Sequence, residues 1–498
     1  MKKLYIIAIS LLGVVSSHAQ SKYDAIRYAL NNTNGTARFT AMSGAFGAVG
    51  GDLSAININP AGSAIFANNL AGGTLSGLNV ANSSNYFGTT NKTNRTSVDL
   101  NQIGAVFVFE SEFKYYDWKK FALAINYENT SDFDNKFFTS GVNPTRSIVD
   151  YFSSYANGIQ KSVLDNIAFS DLFYGEQQAY FGYNAYLFDP VTNTPGNTAY
   201  IANLSAGSFA QTNSAAIKGN TGKVAFNFST QFQDEWFFGL NLNSNFSNYR
   251  RVSKFTEENN NNTSTTSNLV KKITFNDEIF TSGSGFSLQL GAIYKPSKLV
   301  RLGLSYESPT WYRFTDEVTQ SISATSGTVS TNLNPDNVDP NRTIVFEPYS
   351  LSTPGKVTGS LALIFGKQGL LSLDAGIKDY KGSSFGPSSD YKNTNKNIDD
   401  TFKSAVDVKI GGEVRIKNLS LRGGYRFEQT PFIDKTKMGN LNGFSAGFGY
   451  NFGDTKLDFS YSNSRRSYEQ PFFSQGFVDG GKINGVNNNF SISLMFEL

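Results

Sequence analysis

The sequence predicts an all-β membrane protein: an antiparallel transmembrane β-barrel of about fourteen strands. The first observation is composition, since 43 Phe, 25 Tyr and 46 Gly accompany a mean hydropathy of only −0.29. The second is a long series of segments in which apolar and polar residues alternate. The third is that short and long connections alternate between those segments. Barrel strands are apolar on their lipid side alone, and aromatic residues mark the two membrane interfaces.

The alternation is clear in the last predicted strand. Phe490, Ile492 and Leu494 fall on one face there, and Ser491 and Ser493 fall on the other. Successive side chains of a strand point to opposite faces, so one face meets lipid and the other meets the lumen. The candidate strands span residues 70–82, 100–110, 119–128, 222–233, 236–247, 284–294, 299–308, 355–365, 369–378, 404–416, 419–428, 443–452, 455–463 and 488–498.

The connections fall into two classes. Short turns at 233–235, 295–298, 367–368, 417–418 and 453–454 follow even-numbered strands, and longer polar segments are expected after every odd-numbered one. Outer-membrane barrels have short periplasmic turns and long external loops. A soluble sandwich would have no reason to sort its connections in this way.

The N-terminus reads as a secretory signal peptide. Lys2 and Lys3 precede the apolar run from residue 4 to residue 15, and Ser17-His18-Ala19 supplies a small-residue cleavage site. The mature chain is expected to begin near Gln20. The predicted organisation is a signal peptide at 1–19, an N-terminal segment at 20–68 and a barrel at 69–498.

Composition also restricts function. The net charge of +3 becomes +1 once the two lysines of the signal peptide are removed, which argues against a nucleic-acid partner. The chain has no Cys, and its single His is His18. The mature chain therefore lacks the side chains of Ser-His and Cys-His catalysis and of imidazole or thiolate metal sites. We expect no enzyme activity, no cofactor and no metal.

Residues 38–64 are rich in Gly, Ala and Ser, which let the backbone pass close to a wall. Pro60 fixes its own φ and pushes Asn59 toward an extended conformation. The stretch from Asn59 to Gly62 therefore reads as a rigid turn. Two interpretations remain: a plug that fits inside something narrow, or a Gly-rich surface connector.

The order of residues in this stretch resembles the FadL/TodX family. The resemblance rests on Arg38, Gly44-Ala45, Asp52, Ser54-Ala55 and Asn59-Pro60-Ala61-Gly62. That family comprises outer-membrane transporters of long-chain fatty acids and other hydrophobic compounds. The resemblance implies an N-terminal hatch inside the lumen, with Arg38, Asp52, Asn59, Pro60, Ala61 and Gly62 as hatch or gate residues. It also implies a bacterial outer-membrane location in contact with lipid and lipopolysaccharide.

Charged residues gather on the lumen faces of predicted strands nine to eleven. They include Asp374, Lys409 and Glu413, together with Arg422 and Arg426 on one strand. One interpretation is that these charges pair with each other and hold the hatch through Asp52. The other is that Arg422 and Arg426 offer paired donors to a substrate carboxylate.

The connection at 129–221 is long for a segment without structure of its own. Apolar residues recur there at helical spacing, which predicts an amphipathic helix outside the membrane: Ile148, Phe152, Tyr155, Ile159, Val163 and Ile167. Phe152, Ile159 and Val163 could form a landing groove for a hydrophobic substrate, or the helix could be only a lid. The Asn- and Thr-rich run at 257–268 predicts a solvated, mobile loop tip.

The third predicted strand places Ala122 and Ala124 toward the lumen, and Phe121, Leu123 and Ile125 toward lipid. In the family that this chain resembles, the third strand is kinked and substrate leaves sideways beside it. Residues 119–128 contain no Gly or Pro, so a sharp kink is not expected within them.

The predicted function is passive transport of hydrophobic molecules, with fatty acids as the candidate class. The alternatives are an adhesive or structural surface barrel that acts through its loops, and a general polar porin. The last strand, with Phe490 and Phe496 on its apolar face, is expected to close the barrel and to be recognised by the barrel assembly machinery.

Overall fold

The computed structural model describes residues 20–111 and 117–498. The predicted signal peptide lies outside the described residues. Fourteen antiparallel strands form the barrel wall: β1 (Leu70–Tyr86), β2 (Thr89–Glu110), β3 (Trp118–Asp132), β4 (Phe209–Phe232), β5 (Trp236–Asn259), β6 (Leu269–Tyr294), β7 (Val300–Glu307), β8 (Lys356–Ile364), β9 (Gly369–Asp379), β10 (Ser404–Ile416), β11 (Leu419–Glu428), β12 (Leu441–Asn451), β13 (Thr455–Pro471) and β14 (Gly480–Glu497). The number of strands and the antiparallel order confirm the prediction.

The barrel closes where its two ends meet. β1 pairs with β14 from Leu70–Glu497 to Asn85–Lys482, and its other edge pairs with β2. Closure leaves no open edge of the sheet in lipid, where an unpaired backbone group would cost several kcal/mol. The role predicted for the last strand in closing the barrel is therefore confirmed.

The outer face carries an apolar band. Phe490, Ile492 and Leu494 are 59%, 41% and 41% exposed, whereas Ser491 and Ser493 point inward and are buried. On β3 the same alternation exposes the large side chains and buries Ala122 and Ala124, as predicted. A continuous exposed apolar surface of this kind is stable only against lipid.

Several strands continue far beyond the membrane. β5 has 24 residues and β6 has 26, whereas about 9–11 are enough to cross a bilayer. β3 is continued by Asn135–Asn143, β7 by Trp311–Gly327, and Tyr349–Ser352 precedes β8. The prediction of a long loop after every odd-numbered strand is wrong for the first one, since β1 and β2 extend as a hairpin closed by Phe87 and Gly88.

The external loops hold most of the helices. They are α3 (Val149–Ala156), α4 (Lys161–Asn166), α5 (Tyr174–Asn184) and α6 (Lys392–Thr401), with short strands at Phe188–Pro190, Tyr200–Ala202, Asp336–Val338, Ile344–Val345 and Ser384–Gly386. The single helix predicted over 148–167 is wrong in continuity. The chain breaks between α3 and α4, where Asn157 turns extended and Gly158 takes a φ of +101°. Among the described residues, no helix has the length and apolar character needed to span a membrane.

The N-terminal segment, residues 20–68, consists of short helices and turns. It contains α1 (Lys22–Ala29), α2 (Ala37–Ala41), and 3₁₀ turns at Ser54–Asn57 and Pro60–Ile65. The spacing of Tyr23, Ile26 and Leu30 predicts a helix over residues 22–31, and the observed α1 ends two residues earlier. The segment bonds to inward-facing residues on opposite sides of the wall, including Asn227 on β4 and Ser493 on β14, so it lies inside the lumen.

Candidate functional site

The N-terminal segment is fixed to the wall by polar contacts around its perimeter. The Ala37 N–H donates to Ser493 Oγ at 2.6 Å, and the N–H groups of Phe46 and Gly47 donate to Asp374 Oδ2 at 2.9 and 3.0 Å. Ser63 Oγ lies 2.5 Å from Asn227 Oδ1. Side chains of the wall therefore satisfy backbone groups that the irregular segment leaves unpaired.

Glycines in the wall let the segment approach closely. A Cβ atom at Gly239 would lie 2.3 Å from the carbonyl carbon of Pro60, and one at Gly303 would lie 2.4 Å from the carbonyl oxygen of Gly47. No side chain fits in either place without displacing backbone. The lumen wall and the segment thus meet backbone to backbone at these points.

The turn at Asn59 is built as its sequence predicts. Asn59 is extended, its Oδ1 accepts from Ala61 N–H at 3.1 Å, and Pro60 opens the 3₁₀ turn. The Asn59 amide also donates to the carbonyls of Gly47 and Ala292, which ties the turn to the segment and to β6. Asn59 is 1% exposed, so the turn is buried and its contacts support the segment from within.

An ionic cluster joins the segment to β10 and β11. Glu413 accepts hydrogen bonds from three guanidinium groups, with Arg38 Nε at 2.9 Å, Arg422 Nε at 2.7 Å and Arg415 Nε at 2.7 Å. Arg38 also donates to the Gly51 carbonyl at 3.2 Å and lies 3.9 Å from Asp52. A cavity of about 270 Å³ adjoins this cluster at the end of the barrel that carries the short turns.

The two arginines predicted to bind a carboxylate are engaged by protein groups. Arg422 is held by Glu413 and, at 2.5 Å, by Asp458, and Arg426 contacts Thr33 and Glu428. These pairs favour the alternative in which the charges hold the segment in place. A ligand role for Arg422 and Arg426 stays a prediction.

A larger cavity of about 350 Å³ lies between the segment and the external loops. Its walls mix apolar side chains with polar ones and with eight charged ones, among them Arg27, Arg251 and Arg466. The apolar part includes Ile26, Leu30, Leu78, Val80, Phe133, Phe137, Ile217, Phe432 and Ile483. We call this space the outer cavity. α1 forms one of its walls, so the cavity is bounded by the N-terminal segment itself.

A smaller cavity of about 120 Å³ adjoins it and shares Leu30 and Arg466 with it. This charged cavity is lined by four lysines and four carboxylates: Lys223, Lys356, Lys378 and Lys409, with Glu128, Glu307, Asp407 and Glu428. Lys356 pairs with Asp407 at 2.7 Å and Lys378 donates to the Ala29 carbonyl at 2.7 Å. Lys409 is only 9% exposed and makes no hydrogen bond or close ion pair with any residue that the structure describes.

The wall is interrupted beside β3. The backbone ladder between β2 and β3 ends at Gln102–Glu128. Beyond that point, among the described residues, only side chains bridge β2 to β3 and its continuation, as in the ion pair of Arg95 with Asp134 at 2.9 Å. Strand β3 itself is interrupted a little further on, at residues 133–134. This interruption lies outside the stretch 119–128, for which no kink was expected. The segment is bonded to β3 there, since the Asn32 N–H donates to the Thr130 carbonyl and Ser131 Oγ donates to the Leu30 carbonyl, both at 2.9 Å.

The external loop residues predicted to bind ligand lie in a lid. Phe152 is fully buried in an aromatic cluster with Phe181, Phe275 and Phe477, and Ile159 packs against it. We call this cluster the external dome. Burial of Phe152 favours the lid over an open landing groove, and contact of Phe152, Ile159 or Val163 with ligand stays a prediction.

Comparison with known proteins supports the fold. No protein-family model matches the chain, and no curated protein matches its sequence. The solved structure of the P. putida toluene transporter TodX is 15% identical with a TM-score of 0.51, covering 94% of this chain and 99% of that one. A Pseudomonas aeruginosa FadL homologue is 12% identical with a TM-score of 0.52 over the same shares.

The fold is that of the FadL/TodX channels. The resemblance carried by the stretch from Arg38 to Gly62 is thereby confirmed at the level of fold, and the chain is a multi-pass β-barrel with an apolar band on its outer face.

Sequence reasoning missed two parts of this site. Lys223 and Lys356 lie on different strands from Lys409, and only the closed barrel brings them to one cavity. The wall glycines Gly239 and Gly303 carried a usable signal, because each occupies a lumen-facing position in an otherwise alternating strand.

Proposed function

We propose that the protein is a passive outer-membrane transporter of hydrophobic compounds, and that the N-terminal segment is its hatch. The observation that carries the proposal is the outer cavity, which is partly apolar, large enough for a small ligand and bounded by α1 of the hatch. A lumen filled by a hydrogen-bonded segment is a poor path for free diffusion of polar solutes. This disfavours the general porin.

We further propose that the ligand leaves sideways through the interrupted wall. Ser131, Phe133 and Asn135 line the outer cavity, and the β2–β3 ladder has already ended below them. Because Asn32 and Leu30 of the hatch bond to β3 at the same level, a movement of the hatch would act directly on this edge.

Within the hydrophobic class we propose an amphipathic ligand with an anionic head, such as a long-chain fatty acid. The tail would lie in the outer cavity and the carboxylate would lie against Lys409 in the charged cavity. A buried ammonium group without a close partner is costly, and a carboxylate would satisfy it. Arg422 and Arg426, already paired, would hold the wall and hatch.

The test is binding and vesicle uptake by the Lys409→Met variant. Fatty-acid affinity should fall about ten- to a hundredfold, the loss expected for one charge-assisted hydrogen bond, while an uncharged hydrocarbon of similar length binds as before. Lys396→Met, on the exposed helix α6, is the matched control. Equal loss for both ligands would refute the head-group site, and uptake of sugar instead of either would refute hydrophobic transport itself.

A further inference from the structure

The continuation of β7 contains a buried carboxylate without a counter-ion. Asp316 is 2% exposed, and its oxygens accept from Thr281 Oγ1 at 2.6 Å, from Gln20 Nε2 at 2.5 Å and from the Tyr349 hydroxyl at 3.3 Å. All three donors are neutral. Among the described residues, no Lys or Arg forms an ion pair with Asp316. A buried carboxylate in this state carries a desolvation cost that hydrogen bonds only partly offset.

The residue that reaches Asp316 is the one at which the mature chain is expected to begin. Gln20 is 7% exposed, and its side chain is bonded at both ends, because Nε2 donates to Asp316 and Oε1 accepts from the Tyr391 hydroxyl at 3.1 Å. The helix α1 starts two residues later, capped by Ser21 and Asp24. Asp24 is itself paired with Arg27 at 2.6 Å.

We propose that the α-ammonium group of Gln20, created when the signal peptide is removed, is the counter-ion of Asp316. Cleavage before Gln20 adds one positive charge to the residue whose side chain already touches the carboxylate. The α-nitrogen of Gln20 is joined to Nε2 through the short side chain of the same residue. Because Nε2 touches Asp316, the new charge on the α-nitrogen lies in the neighbourhood of that carboxylate. Opposite charges attract far more strongly there than in bulk water.

The site is therefore an anchor for the processed N-terminus. It holds α1 against the continuation of β7, where Tyr28 stacks on Phe314 with ring centroids 4.4 Å apart. An unprocessed chain has an uncharged amide nitrogen at Gln20 and leaves Asp316 unpaired. The inference rests on the predicted cleavage and on these contacts, and it is independent of which compound the protein transports.

The anchor should also affect the chemical stability of the N-terminal glutamine. A free N-terminal glutamine can cyclise when its α-amine attacks the side-chain carbonyl carbon, which forms the ring amide and expels ammonia. The product carries no charge and no Nε2 donor. Because Asp316 and Tyr391 hold the two ends of the side-chain amide, the folded protein should keep Gln20 open and charged.

Two changes to the full-length, exported protein test the anchor. One is Asp316→Asn. The other inserts Gly-Ser-Gly between Ala19 and Gln20, so that processing at an unaltered Ala19 leaves the ammonium group three residues away while every barrel residue is unchanged. Each change alone should lower the hydrogen-exchange protection of residues 22–30 about tenfold, and the two together should lower it no further, because both remove one interaction.

Asp339→Asn, on an exposed external loop, is the control and should leave protection unchanged in either background. Intact mass of the purified N-terminal peptide gives an independent reading, with an uncyclised Gln20 expected. Additive effects of the two changes, an extension without effect, or a cyclised terminus would each overturn the anchor. None of these outcomes bears on uptake of fatty acid or hydrocarbon, so the transport proposal stands or falls separately.

Discussion

The lumen of the barrel is closed at two levels by two different sets of interactions. The hatch is held by hydrogen bonds and ion pairs to the wall, with Glu413 and Asp374 among the acceptors, together with buried apolar contacts such as those of Phe46 and Leu53. The external dome is held by aromatic packing, with Phe152 meeting Phe275 edge to face at 5.2 Å between centroids. Polar contacts are specific in geometry and can be exchanged for water or ligand, whereas a packed apolar cluster opens only by exposing its surface. We infer that the hatch is the closure that responds to ligand and the dome is a fixed cover.

Glu413→Gln should produce the largest effect. It should loosen the attachment of the hatch to the wall and leave the external dome intact. Three arginines converge on Glu413, whose side chain is fully buried, and removing one partner of a buried ion pair costs about 3–5 kcal/mol. Single-channel conductance in planar bilayers should rise, while heat-modifiable gel mobility shows a folded barrel. Glu258→Gln, in an exposed external pair with Lys272, is the control. An unchanged conductance would mean that the hatch does not depend on this cluster.

Phe152→Ala should loosen the packing of the external dome and leave the hatch in place. Phe152 is fully buried, and truncating a buried Phe costs about 3 kcal/mol or more. Hydrogen exchange of α3 and α5 should accelerate, and conductance should stay at the wild-type level. A rise in conductance would show that the two closures are coupled, which would refute their separation.

Glu257→Gln should remove a pH dependence of the dome. Glu257 accepts from Ser147, from the Ile148 N–H and from Gln211, and burial raises the pKa of its carboxyl from 4.5 to about 7. Because this pKa is raised in the folded state, its contribution is fully present below pH 4.5 and is lost as pH rises through about 7. The dome should therefore be looser at pH 8 than at pH 5.

The full size of that change is on the order of 2–3 kcal/mol, seen as faster exchange of α3 at pH 8 in the wild type only. A variant that retains the wild-type pH profile would assign the effect to another group.

Lys396→Ala should have no measurable effect on either closure. Lys396 and Asp400 form an exposed pair one helical turn apart on α6, and such pairs contribute little. Exchange of the dome and conductance should both match the wild type. The difference between this variant and the wild type gives the experimental error, with which the effects of the other three variants are compared.

The wall could be predicted from sequence because alternation is a local property. The lipid-facing side of a strand such as β14 can be predicted from Phe490 and Ile492 alone, without knowledge of the rest of the chain. The two closures depend on distant residues. Glu257 was expected in a solvated loop tip and instead is 1% exposed under the dome, and Lys409 gains its cavity from strands far along the chain. The stretch from Arg38 to Gly62 is the exception, because its small residues and the Asn59-Pro60 turn already describe a segment shaped to fit a lumen.

Ser493 connects the beginning of the chain to its end. Its hydroxyl accepts from the Ala37 N–H of the hatch and lies 2.6 Å from Thr74 Oγ1 on β1. The strand that carries Ser493, β14, lies far along the chain, since Ser493 is 456 residues after Ala37. Contacts of such long separation form late in folding, since the ends of a very large loop must first meet. The hatch therefore cannot be completed in a partly assembled barrel, and we expect its seating to be among the last kinetic steps, simultaneous with closure of the β1–β14 seam.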